Sequence, residues 1–67
     1  MSYIVVELQT TNGQTSNIVT VYSDLAHAES AYHSVLASAA LSEVEYHTAL
    51  ILNEQGMTIE QRCFEHE

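Results

Sequence analysis

The chain has 67 residues, a single cysteine and a formal net charge of -8, because nine acidic residues stand against one arginine. This length allows one domain with a small core, and a lone cysteine excludes an intramolecular disulfide. Binding to phosphate backbones depends on lysine and arginine, so the charge balance argues against nucleic acid or an anionic membrane as a direct partner.

The first nine residues, MSYIVVELQ, contain no basic segment and no long apolar run. A secretory signal peptide needs a basic segment, and a membrane span needs a long apolar run. The sequence therefore predicts a cytoplasmic protein and no contact with a membrane.

Two β-rich segments, residues 3–10 and 17–23, flank the dipeptide Asn12-Gly13. Asn-Gly is a strong signal for a two-residue hairpin turn, although the threonines and serine around it also allow a longer loop. A tight turn at this point fixes the register. The predicted pairs are Val6 with Val19, Ile4 with Val21, Tyr3 with Tyr22, Val5 with Thr20, and Glu7 with Ile18.

The segment from Asp24 to Leu41 predicts the one helix of the chain. It contains no Gly or Pro and is rich in alanine, the strongest helix former, and both Ser23 and Asp24 suit the N-cap position. Apolar residues recur at three- and four-residue spacing and form one stripe that must pack on a sheet. The stripe consists of Leu25, Ala28, Ala31, Tyr32, Val35, Leu36 and Ala39.

A second hairpin is predicted from residues 46–53 and 57–65, joined by a three-residue loop in which Gly56 supplies the left-handed conformation. This register gives one uncharged set of pairs, which we assign to the helix side. A two-residue turn would instead swap the faces of one strand. The uncharged pairs are Ile51 with Ile59, Ala49 with Gln61, and His47 with Cys63.

The resulting fold class is α+β: a single domain over residues 1–67 with β-β-α-β-β order, in which a four-stranded, mainly antiparallel sheet carries one helix on one face. The other face remains uncovered, and an apolar patch of that size is rare on a soluble monomer. We therefore expect a homodimer or higher homo-oligomer. The predicted uncovered face carries Tyr3, Val5, Ile18, Tyr22, Tyr46, Leu50, Leu52 and Phe64, ringed by Glu7, Glu60 and Arg62; its predicted interface residues are Tyr3, Val5, Ile18, Leu50, Leu52 and Phe64.

The four histidines and the cysteine do not predict an enzyme. His47 and Cys63 are the one close pair in the predicted register, and two ligands do not make a zinc site. Cys63 is predicted to be buried and lacks oxyanion donors, so nucleophilic catalysis is not expected. We predict no catalytic residues, no metal and no cofactor.

Four residues are the candidate ligand site: Tyr22, Tyr46, Glu60 and Arg62. Aromatic rings beside the only permanent cation can stack a base and hold one phosphate. The alternative is that these residues form an oligomer core in which Arg62 pairs with a carboxylate of another subunit. Both interpretations remain open at this point.

The segments YIVVELQ, AESAYHSVLASAALS and ALILNEQG, with a terminal CFEH, resemble small uncharacterised accessory proteins encoded in phages and prophages of gut Firmicutes. The resemblance covers nearly the whole chain and carries over no functional motif. It implies a non-enzymatic protein of the infected bacterial cytoplasm that acts by stoichiometric binding. The leading expectation is a counter-defence homo-oligomer that sequesters a nucleotide-derived immune signal. The alternatives are an acidic, nucleic-acid-mimicking inhibitor of a host defence complex, similar to anti-CRISPR proteins, and a structural or virion-associated protein.

Overall fold

The computed structural model describes residues 1–66, and it confirms the α+β fold with β-β-α-β-β order. All neighbouring strands are antiparallel, and their order across the sheet is β2-β1-β3-β4. Each hairpin therefore contributes one edge strand and one central strand. The elements are β1 (Tyr3–Thr11), β2 (Gln14–Tyr22), α1 (Leu25–Leu41), β3 (Tyr46–Asn53) and β4 (Thr58–Glu65).

The first hairpin has the predicted tight turn and the predicted register. Asn12 and Gly13 have φ values of 55° and 76°, the left-handed pair that a type I′ turn requires. Val6 pairs with Val19 as expected, and the other predicted pairs are also observed. The Asn12 backbone N–H donates to the Glu45 carboxylate at 3.0 Å, which fastens this turn to the segment before β3.

The second hairpin has the predicted three-residue loop. Gly56 takes the left-handed conformation, with φ at 82°, and the Asn53 side-chain oxygen accepts hydrogen bonds from the N–H groups of Gln55 and Met57. Next to the loop, Leu52 pairs with Thr58, as the register of a three-residue loop requires.

Beyond Thr58 the predicted register is wrong, because a β-bulge adds one residue to β4. Leu52 pairs with Thr58 but Ile51 pairs with Glu60, so Ile59 has no partner of its own. One extra residue moves every later side chain to the other face. The pairs predicted as Ile51 with Ile59, Ala49 with Gln61 and His47 with Cys63 are in fact Ile51 with Glu60, Ala49 with Arg62 and His47 with Phe64.

Helix α1 begins after Asp24, which is its N-cap. The Asp24 carboxylate accepts the backbone N–H of His27 at 2.8 Å and contacts the imidazole of His27 at 2.6 Å. These hydrogen bonds, the backbone one foremost, hold the pKa of Asp24 below its ordinary value. The predicted stripe faces the sheet, with Ala28, Tyr32 and Ala39 buried.

The core lies between α1 and the central strands. Val5 is only 4% exposed and pairs with Ile51, which is fully buried, and both lie under Ala28 and Tyr32. The sequence assigned Val5 to the uncovered face, and this prediction is wrong. Both faces of β1 carry apolar side chains, so the alternation of side chains along the strand does not show which face packs against α1. The pairing of Val5 with the buried Ile51 of β3 decides it.

The uncovered side of the sheet, called the open face below, is apolar, as expected, but most of its residues differ from those predicted. Of the predicted interface residues, Leu50 and Leu52 lie on it, whereas Tyr3, Val5, Ile18 and Phe64 lie on the helix side. Tyr46 is on the open face, and Tyr22 packs against the core on the other side. The open face consists of Ile4, Val6, Leu8, Val19, Val21, Tyr46, Leu50 and Leu52.

Side-chain exposure on the open face is high for apolar residues. Val19 is 56% exposed, Val21 62% and Tyr46 46%, because no element of the described chain packs over them. In residues 1–66, α1 is too short and too polar to be a membrane-crossing helix.

Candidate functional site

The four residues of the candidate ligand site do not come together within one chain. Tyr22 lies on edge strand β2, whereas Glu60 and Arg62 lie on edge strand β4, with β1 and β3 between them. Tyr46 lies on the open face, and the other three lie on the helix side. Only Glu60 and Arg62 are near neighbours on one face.

Arg62 instead belongs to a row of planar groups along β4, which we call the β4 stack: Arg62, Phe64 and His66. The Arg62 guanidinium carbon lies 4.8 Å from the centre of the Phe64 ring. The Phe64 and His66 rings are nearly parallel, at 11°, with their centres 6.4 Å apart. His66 is fixed in turn by a 2.9 Å contact between its Nε2 and the Ala39 carbonyl near the end of α1.

The Arg62 guanidinium is exposed and has no carboxylate partner among residues 1–66. In that part of the chain, the carboxylates that contact a basic side chain contact a histidine: Asp24 contacts His27 and Glu7 contacts His47. As far as residues 1–66 are concerned, the one arginine of this acidic chain is accessible to an external anion. Its position over the Phe64 ring suits an anion that also carries a flat ring.

Tyr32 connects the core to this edge of the sheet. Burial raises the pKa of the Tyr32 hydroxyl above its ordinary value, and the Glu60 carboxylate raises it further, while the Arg62 guanidinium acts in the opposite direction. The Tyr32 side chain therefore lies within electrostatic range of both β4 residues. Glu60 also places a negative charge beside Arg62, which limits how much anionic charge the site accepts.

A second polar cluster, which sequence reasoning missed, lies under the helix: Glu7, Gln9 and His47. His47 is 3% exposed, and its Nε2 lies 2.5 Å from the Glu7 carboxylate. Gln9 donates to the same carboxylate oxygen at 2.9 Å. The His47 Nδ1 is buried and has no hydrogen-bond partner in the described residues.

Within this cluster, Glu7 and His47 form a polar pair under the helix, and Gln9 adds a hydrogen bond to the Glu7 carboxylate. The pairing of Gln9 with His47 across β1 and β3 brings the three side chains together. The sequence carries no local signal for that pairing, because it depends on which two strands become central. The cluster contains no serine, threonine or cysteine.

Cys63 does not lie next to His47. It pairs with Thr48 on the open face and is exposed, whereas the sequence predicted it to be buried opposite His47. The β4 bulge is the reason, since it exchanges the faces of Cys63 and Phe64. Within residues 1–66, no group of three or more His, Cys, Asp or Glu side chains is placed to hold a metal ion.

The surface also has a depression of about 280 Å³ at one end of β3 and β4. Tyr46 and His66 line it together with the carboxylates of Glu45 and Glu65. Two carboxylates in one small depression repel an anionic ligand. This depression is therefore a poor site for a phosphate and a better match for a basic group.

Comparison of the chain with protein-family models, with curated proteins and with solved structures finds no match. The features of the molecule that bear on function are the open face, the β4 stack and the charge.

Proposed function

We propose that the protein acts by stoichiometric binding, as a phage counter-defence homo-oligomer that sequesters a nucleotide-derived signal molecule. Its subunits meet through the open face, and Arg62 in the β4 stack binds the anionic part of the ligand. The observation that carries the proposal is the apolar open face, because its exposed side chains call for cover by another molecule. The resemblance to phage accessory proteins supplies the biological context.

The open face supports association between identical subunits. Exposed valines at positions 19 and 21 continue the apolar surface formed by Leu50 and Leu52. A domain of this size buries only about 60% of its unfolded surface, so additional burial against a second copy stabilises it.

The β4 stack supports a nucleotide-like ligand. A base can add to the row formed by Phe64 and His66, and the Arg62 guanidinium can donate two hydrogen bonds to one phosphate. Of the four predicted ligand residues, this proposal retains Glu60 and Arg62. Tyr22 and Tyr46 are not part of a ligand site within one chain. Tyr22 lies on the opposite edge strand of the sheet, and Tyr46 lies on the opposite face.

The interface is tested with Leu50→Glu, which places a carboxylate in the centre of the open face. Light scattering after size-exclusion chromatography should show a smaller assembly than for the unchanged chain. Leu41→Glu is the matched control, because Leu41 is 88% exposed at the end of α1, away from the open face. If the unchanged chain has the mass of one subunit at high micromolar concentration, this part of the proposal fails.

Ligand capture is tested by incubating the protein with cyclic nucleotides, removing the protein and measuring the nucleotide that stays free. Heating the complex should release the captured fraction unchanged. Arg62→Ala should weaken binding about tenfold to a hundredfold, as expected for the loss of a charged hydrogen bond. Gln61→Ala is the control, because Gln61 neighbours Arg62 but faces the opposite side of β4. Equal capture by both variants would remove Arg62 from the site.

A second candidate function is inhibition of a nucleic-acid-binding defence protein by charge mimicry. The net charge of -8 and the presence of two acidic residues, Glu45 and Glu65, in the lining of one depression favour it. It predicts co-purification with a basic host complex that weakens as salt rises. A structural or virion-associated role remains if neither ligand nor host partner binds.

A further inference from the structure

The two edge strands of the sheet, β2 and β4, differ in the features that prevent an edge from pairing with a strand of another chain. Strand β4 carries Glu60, Arg62 and Glu65, together with the bulge at Ile59. Charged residues and bulges are the usual means by which proteins keep an edge from pairing with another chain. Strand β2 has neither of these features. It contains no charged residue and no proline, and it pairs with β1 in one unbroken register.

Strand β2 is also exposed along nearly its whole length. Every residue from Gln14 to Val21 is exposed, and only Tyr22 at its end packs toward the core. Ile18 lies on the helix side yet is 56% exposed, because α1 does not cover it. A long, uncharged and exposed edge of this kind is a template for a further strand.

The hairpin geometry fixes which backbone groups face outward. The two-residue turn makes Thr11 and Gln14 the hydrogen-bonded pair that closes the hairpin. Antiparallel pairs alternate, so every second residue of β2 directs its N–H and C=O away from β1. These outward residues are Thr15, Asn17, Val19 and Val21.

We propose that β2 pairs with β2 of a second copy, in antiparallel orientation, about a two-fold axis that passes through Ile18. This register aligns Thr15 with Val21 of the other copy and Asn17 with its Val19. All outward N–H and C=O groups then find partners. Ile18 meets its own equivalent in a non-hydrogen-bonded pair, where side chains approach most closely.

Charge identifies a second copy as the occupant. Two chains of net charge -8 repel each other, and the repulsion is weakest where both surfaces lack charge. The uncharged run extends from Leu8 to Ser23 and includes the whole of β1 beyond Glu7, the turn and β2. No other surface strand of the described chain offers an equally neutral edge.

The pairing joins two sheets into one of eight strands. A two-fold axis perpendicular to the sheet leaves both helices on one side and both open faces on the other. The edge pair therefore doubles the apolar surface and remains compatible with packing through the open face. This second interface does not depend on the proposed function.

The test uses two charged variants, Ile18→Glu and Ile18→Lys. A residue on a two-fold axis meets itself, so each variant alone places like charges opposite each other and should lose the edge pair. An equimolar mixture places a carboxylate against an ammonium and should restore it. Ile59→Glu is the matched control, because Ile59 is an exposed isoleucine on the other edge strand. If Ile18→Glu associates like the unchanged chain, or if mixing restores nothing, the proposal is overturned.

Two further measurements separate this interface from the open face. The Leu50→Glu variant should still form a dimer, and a monomer of that variant would refute the edge pair while leaving the open face intact. Amide hydrogen exchange should show protection at Thr15, Asn17, Val19 and Val21. The edge pair would also be overturned if these amides exchanged as fast as those of an unstructured peptide while light scattering showed the sample to be oligomeric.

Discussion

His47 is a buried polar residue in an otherwise small and apolar core, and its position depends on Glu7. The imidazole donates or accepts through Nε2 alone, because its Nδ1 has no partner in the described residues. Gln9 stabilises the arrangement by donating to the same carboxylate. A substitution that removes Glu7 would therefore leave a buried imidazole without a hydrogen-bond partner.

Glu7→Leu should lower the free energy of unfolding by about 1–3 kcal/mol, because it leaves both ring nitrogens of His47 buried without partners. Replacing both residues, as in Glu7→Leu with His47→Leu, should cost less than the single change, since the double variant leaves no buried polar atom of the pair unsatisfied. Urea unfolding of the three chains measures the difference. If the double variant is less stable than Glu7→Leu, the pair does not act through this contact.

At the scale of elements, the close approach of α1 to the sheet depends on its alanines. Ala28 and Ala39 are fully buried, and Ala28 packs directly in the core cluster with Val5 and Ile51. A larger side chain at that position would have to lift the helix away from the sheet.

Ala28→Leu should therefore destabilise the protein by about 1–3 kcal/mol, although leucine is a good helix former. Ala26→Leu, two residues away on the exposed side of the helix, should leave stability nearly unchanged. Thermal unfolding followed by circular dichroism distinguishes the two. Equal melting temperatures would show that the space above Val5 and Ile51 is not tightly filled.

The same elements show what the sequence could and could not predict. The Asn12-Gly13 turn, the Asp24 cap and the Gly56 loop are local signals, and each correctly predicts its element. The face of β1 that packs against α1 is not set by a local signal, because it depends on pairing with residues of β3 that are 36 to 50 positions away in the chain. The bulge at Ile59 has no signal in the sequence, and it alone moved Cys63, Arg62 and Phe64 to the faces opposite those predicted.

At the scale of the whole molecule, charge opposes each contact proposed above between identical subunits. Each subunit contributes a net charge of -8, so an oligomer concentrates acidic groups that repel one another. The contacts proposed for it are apolar side chains and strand pairing, which salt does not screen. Added salt weakens only the repulsion.

We therefore expect the assembly to become tighter as salt rises. Between about 0.01 M and 0.15 M the screening length falls from roughly 30 Å to about 8 Å, so repulsion between charges on different subunits weakens. Light scattering across a dilution series at each salt concentration measures the dissociation constant. An assembly that weakens with salt would mean that ion pairs, and not apolar contacts, form its interfaces.

The central position of β1 also has a kinetic consequence. Each hairpin closes over a short loop, and such hairpins form within about 1–10 μs. The two hairpins become one sheet only where β1 meets β3, a contact that joins Tyr3 to Asn53 across most of the chain. Closing that long loop carries the largest entropic cost, so we expect the seam between the hairpins to set the rate at which the newly made chain becomes native.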